Sequence, residues 1–144
     1  MNKAFIISTL IIAILSTNFS CRKDAEDRVP NTPVDIELFL NNPSYIDLSV
    51  VGGWTYITGG SRGIIVYRNG PEEFIAMDRH CPYEVQNNNR VFVNETNIIA
   101  EDSLGCGSKF VITDGSVTEG PSLFPLTRYQ TSYNGAINKL RIFN

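Results

Sequence analysis

The residues with the most chemical capacity in this chain sit in two short stretches. "DRHCPYE", residues 78–84, carries Cys81 beside the only histidine, His80, and "SLGCGSKF", residues 103–110, carries Cys106. Cys21 brings the cysteines to three. Thiolates are soft, strongly donating ligands, so two cysteines on separate loops suit a disulfide, a metal site or a pair of free thiols. Asp78, Glu84, Glu101 and Asp102 flank the same stretches. Paired carboxylates can do acid–base work, but their setting in polar loops reads as surface charge. The sequence carries no Ser-His-Asp arrangement, phosphate loop or dinucleotide fingerprint. A net charge of −3 excludes a basic surface for nucleic acid.

These loops need a frame, and the frame reads as strands. Seven prolines and eleven glycines punctuate short apolar runs, and helical periodicity is nowhere sustained. Val34, Ile36, Leu38 and Leu40 alternate with Asp35, Glu37 and Phe39, the pattern of a half-buried strand. Further strands are expected at 54–58, 63–68, 74–78, 91–94, 98–100, 110–113, 128–133 and 139–143. Asn69-Gly70, Asp114-Gly115 and Asn134-Gly135 read as tight turns, the last closing a terminal hairpin. Trp54, among apolar neighbours, is expected in the core, and strand packing accounts for Tyr129 and Tyr133. The fold class that follows is all-β, a small antiparallel sandwich or barrel. The stretches 79–89 and 101–109 lack strand patterning and are expected as loops, where a rigid sheet commonly presents its site.

The first residues have a different character. Lys3 precedes the apolar run 4–15, which is shorter than the ~20 residues that span a bilayer but suits the core of an export signal. "STNFSC" then ends at Cys21. A small residue followed by cysteine past such a run resembles the lipobox of bacterial lipoproteins, with Ser20 in place and Asn18 where leucine is usual. That resemblance implies cleavage after residue 20, lipid on Cys21 and attachment to the bacterial outer membrane, on its periplasmic or surface face. Residues 21–33, charged and broken by Pro30 and Pro33, read as a flexible tether to a domain at 34–144. The acidic residues behind Cys21 are similar to the surface-export signals of some Bacteroidetes lipoproteins. In an exported compartment a disulfide is the default state of two nearby thiols.

The run "FIAMDRHCPYE … SLGCGSKFVITDGSVTEGPSLFPLTRYQTSYNGAINKLRIF" resembles a Rieske iron–sulfur domain. Gly107-Ser108-Lys109-Phe110, Asp114-Gly115-Ser116-Val117 and Gly120-Pro121 followed by Pro125-Leu126 fit that family's order and spacing. Cys81-Pro82 begins its first ligand motif. The resemblance implies a Rieske-type β domain with an inserted two-loop subdomain at about 79–126. Its ligand positions, however, hold Cys81, Tyr83, Ser103 and Cys106, where the family has Cys, His, Cys and His.

A [2Fe–2S] centre takes four protein ligands, thiolates or thiolates with imidazoles. Serine and tyrosine ionise far less readily than cysteine, so two good ligands remain where four are needed. The expectation is therefore no bound cluster. A Cys81–Cys106 disulfide is expected between loops that in the family face each other across the irons. It would close about 26 residues, worth roughly 3.5 kcal/mol by chain entropy. Two free thiols, or a single metal such as zinc on Cys81, Cys106 and His80, remain open. The function that follows is a lipid-anchored, non-redox structural module, or one that binds an envelope protein partner, and not an enzyme. The alternative is a [2Fe–2S] electron carrier with unusual ligands.

Overall fold

The computed structural model describes residues 28–144, so the expected export signal, Cys21 and most of the expected tether lie outside the described residues. Ten strands follow in order: β1 (Asp35–Phe39), β2 (Trp54–Ile57), β3 (Ile64–Arg68), β4 (Phe74–Asp78), β5 (Phe92–Val93), β6 (Ile99–Glu101), β7 (Lys109–Val111), β8 (Val117–Glu119), β9 (Arg128–Asn134) and β10 (Lys139–Phe143). They form two antiparallel sheets, one of order β1-β10-β9-β4-β3-β2 and one of order β5-β6-β7-β8. The all-β antiparallel architecture is the one the sequence implies. The smaller sheet lies, in chain order, wholly between β4 and β9.

β3 and β4 hold the molecule together because both of their faces are buried. Side chains alternate across a strand. Ile64, Val66, Phe74 and Ala76 therefore join one core with Leu38, Leu48, Tyr129, Leu140 and Ile142. Ile65, Tyr67, Ile75 and Met77 face the other way, into a second core with Cys81, Val91, Ala100, Phe110 and Leu126. The second core ties the inserted sheet to the large one. Trp54 is only half-buried against it, and its Nε1 donates to Asn97 Oδ1 at 3.2 Å.

Several local expectations shift. The β9–β10 connection is not a two-residue Asn-Gly turn. Asn134 pairs with Lys139, and the left-handed position falls on Asn138 (φ 50°). The Asn134 side chain instead caps the loop by accepting from Ala136 N at 3.1 Å. Beyond β1, Pro43–Ser49 forms 3₁₀ turns capped by Asn42, whose Oδ1 accepts from Ser44 N. β8 is a strand the periodicity did not mark. At the edge of the expected tether, Asn31 and Thr32 are held by the Asn144 amide at 2.9 Å each.

Candidate functional site: two thiols and a buried carboxylate

The first site loop leaves β4 at Asp78, which is fully buried and is not the surface charge its loop setting suggested. Its carboxylate accepts from Ser61 N (2.6 Å), Arg62 N (3.2 Å), His80 N (2.8 Å) and the Tyr129 hydroxyl (2.7 Å). Four donors compensate a buried charge that would otherwise be costly. Gly60 (φ 61°) allows this convergence, since a Cβ there would strike Asp78 Oδ2 and the Tyr129 hydroxyl.

His80 follows, also fully buried. Its Nε2 lies 2.9 Å from the Val85 carbonyl and its Nδ1 2.8 Å from Ser61 Oγ. A carbonyl only accepts, so Nε2 carries a proton, and in the neutral ring Nδ1 then accepts from the serine hydroxyl. Both nitrogens are engaged in holding the loop. His80 is not in the group of donor atoms that gathers around the two cysteine sulfurs, where Asp102 stands instead.

Cys81 is fully buried, its backbone N–H donating to Asn89 O at 3.0 Å. Burial foremost, and the adjacent Asp102 and Cys106 side chains, push its thiol well above the usual cysteine range. The second loop, between β6 and β7, folds around Asp102. Its carbonyl accepts from Gly105 N and Gly107 N, and its Oδ2 from Cys106 N at 3.2 Å. Gly107 (φ 77°) supplies the left-handed turn that returns the chain to β7. Cys106, half-buried, points its sulfur at Cys81, with Sγ to Sγ 3.7 Å. Ser108 Oγ lies 3.0 Å from the Cys106 sulfur and accepts from Ser122 N at 2.9 Å.

The loops thus bring Cys81 and Cys106 together, but as free thiols. The expected covalent bond is not formed, since 3.7 Å is far from the ~2.05 Å of a disulfide. Ser103, at a ligand position of the resembled family, is exposed on the loop surface. Tyr83, at another, is half-buried, and the neighbouring Glu84 carboxylate raises its hydroxyl above the ordinary phenol range. A raised phenol resists the ionisation that iron ligation requires. The residues at the four positions therefore do not fit a [2Fe–2S] cluster: two supply sulfur, one a reluctant phenol and one an outward hydroxyl.

Asp102 is what the sequence reading misplaced. It is fully buried rather than exposed, and its Oδ1 has no hydrogen-bond partner among the described residues. Its Oδ1 or Oδ2 and the two cysteine sulfurs lie within 4.8 Å of one another. A signal existed: Ala100, buried on β6, is two residues away, and strand alternation puts Asp102 on the same inward side.

Comparison with known proteins supports the fold. The chain is similar to the cyanobacterial plasma membrane Rieske protein PetC3 from Synechocystis PCC 6803, at 22% identity and TM-score 0.53, covering 70% of this chain and 95% of that one. The ferredoxin of carbazole 1,9a-dioxygenase from Nocardioides aromaticivorans IC177 matches at 17% identity and TM-score 0.48, covering 78% and 98%. No family model and no curated protein matches the sequence. The likeness to PetC3 shows the fold: the described domain has the Rieske fold.

Proposed function

We propose that this is a Rieske-fold domain that has given up its cluster and serves the bacterial envelope as a lipid-anchored, non-redox structural or partner-binding module. The observation that carries this reading is the content of the four ligand positions, where Tyr83 and the exposed Ser103 replace two iron ligands and leave Cys81 facing Cys106. In the oxidising envelope the two thiols close to a disulfide. Each loses its proton, and the pair passes two electrons to a disulfide-bearing oxidant, which leaves as two thiols. The sulfurs need to approach by less than 2 Å, roughly what side-chain rotation and small loop shifts provide.

Anchoring rests on the lipobox-like run before Cys21, and the outer-membrane location rests on that anchor. Among the described residues no helix is long and apolar enough to cross a membrane. Partner binding is favoured by apolar side chains presented around the site loops: Leu104 and Leu123 are more than four-fifths exposed and Phe124 about half. An envelope protein is the partner class this location implies.

The discriminating experiment is metal and thiol analysis of the full chain prepared without oxygen. The expected result is colourless protein without stoichiometric iron or sulfide, whose two domain thiols disappear on exposure to a disulfide oxidant. Two irons per chain with a visible iron–sulfur spectrum would instead establish the electron carrier with unusual ligands. Labelled fatty acid should enter the chain, and Cys21→Ser should abolish that labelling.

A further inference from the structure

We infer that in its reduced state the protein binds one thiophilic divalent cation, zinc by chemistry, through Cys81 Sγ, Cys106 Sγ and Asp102 Oδ1. This rests on the reading of the pocket as free of iron–sulfur cluster. It replaces the histidine expected as third ligand with a carboxylate.

Three observations converge. The first is spacing. Two thiolates on a tetrahedral zinc, each at about 2.3 Å, stand roughly 3.8 Å apart. Cys81 and Cys106 are already at 3.7 Å. A thiolate–carboxylate edge of the same tetrahedron is about 3.6 Å, and one Asp102 carboxylate oxygen lies within 4.8 Å of both sulfurs, so the carboxylate needs a shift of no more than about an ångström. The second is an unmet need. Asp102 is fully buried, and its Oδ1 has no partner among the described residues. A buried carboxylate oxygen without donor or counter-charge is expensive, and a cation supplies both. The third is the surrounding hydrogen bonding. Ser108 directs its N–H at the Cys106 sulfur (3.4 Å), and its hydroxyl lies 3.0 Å from the same atom, while Cys106 N steadies Asp102 Oδ2. Such outer contacts orient ligands and stabilise thiolate charge.

Two thiolates and a carboxylate carry three negative charges, and a dication leaves one. Paired sulfurs in a tetrahedral frame favour zinc over the oxygen-seeking magnesium or calcium. Cys106 lines a groove of about 500 Å³ with Tyr83, Asn89 and Pro121, open to water, from which a fourth ligand could come. Binding and disulfide formation use the same two sulfurs and exclude each other. The reduced pair holds the cation, and oxidation releases it.

The test uses the full chain carrying Cys21→Ser, so that Cys81 and Cys106 are its only thiols. Reduced, chelator-stripped protein is titrated without oxygen with Co²⁺ as an optical probe, then with Zn²⁺ in competition. One cation per chain is expected, with the absorption of a tetrahedral dithiolate site. Cys106→Ser should abolish uptake, Asp102→Asn should weaken it more than about tenfold, and Ser103→Ala should leave it unchanged. Zn²⁺ should also protect the half-buried Cys106 thiol of the unsubstituted site from alkylation, a readout independent of how well the variants fold. Folded, reduced protein that takes up no cobalt and gains no protection overturns the inference, as does equal affinity in a folded Asp102→Asn. If the preparation proves iron-free yet binds no cation, only this inference falls. If it contains two irons, the cluster-free reading falls with it.

Discussion

The Tyr129 hydroxyl, carried by β9, donates to the buried Asp78 carboxylate at the end of β4 across 2.7 Å. The bond joins the closing strands to the residue from which the first site loop departs. Removing it strips one of four donors from a fully buried carboxylate. Tyr129→Phe should therefore lower unfolding free energy by about 1.5–3 kcal/mol, the range for hydrogen bonds to charged groups. Urea denaturation of the two forms checks this.

The same pair sets an alkaline limit. Burial first, and then the Asp78 carboxylate that its hydroxyl serves, raise Tyr129 above the ordinary phenol range. In the unfolded chain the phenol ionises near ~10, whereas in the folded state it stays protonated well beyond that. The unfolded state thus binds fewer protons above ~10, and stability falls as pH rises through that value. The loss between pH 9 and 11 should be smaller in Tyr129→Phe than in the parent, as compared by denaturant midpoints at both values.

The two cysteines should behave as one unit once oxidised. A disulfide between loops about 26 residues apart is worth roughly 3.5 kcal/mol. Cys81→Ser and Cys106→Ser should each forfeit about that much in oxidised protein, and the double variant should lose little more. Under reductant the penalty of Cys106→Ser should largely vanish. Fully additive losses in oxidised protein would argue against the bond.

Gly105 covers the Asp102 carboxylate so closely that a Cβ would strike the Asn89 amide nitrogen and come within 2.6 Å of both carboxylate oxygens. Asp102 is fixed at its backbone by Ser108 and cannot withdraw easily. Gly105→Ala should cost roughly 1–3 kcal/mol through overpacking. It should also disturb Cys106, whose N–H the carboxylate holds. Thermal melting measures the first effect, and the alkylation rate of Cys106 the second.

The framework was legible because its signals are local. Alternation at Val34–Leu40 gave β1, and the apolar runs at 64–68 and 74–78 gave β3 and β4. That those runs serve two cores, one on each face, is a tertiary fact that an unbroken apolar stretch only hints at. The pairing of the two cysteine loops followed from the family likeness. The roles of Asp78 and His80 did not, because burial of a polar side chain there depends on partners brought from distant positions. Ser61 and Tyr129 lie 17 and 51 residues from Asp78. The Asn134-Gly135 turn misled because neighbouring Asn138 took the left-handed conformation instead.

Met77 on β4 is laddered directly to Arg128 on β9, so the chain leaves the larger sheet and re-enters it on adjoining strands. Everything between those points is held to the larger sheet by this short ladder and by the second core on the near face of β3 and β4. The β1-β10-β9 half has its own apolar interior on the far side of β3 and β4, so side-chain changes in the inserted segment do not enter it. The tip and the base thus rest on separate apolar cores, and the chemistry of the one is set apart from the packing of the other.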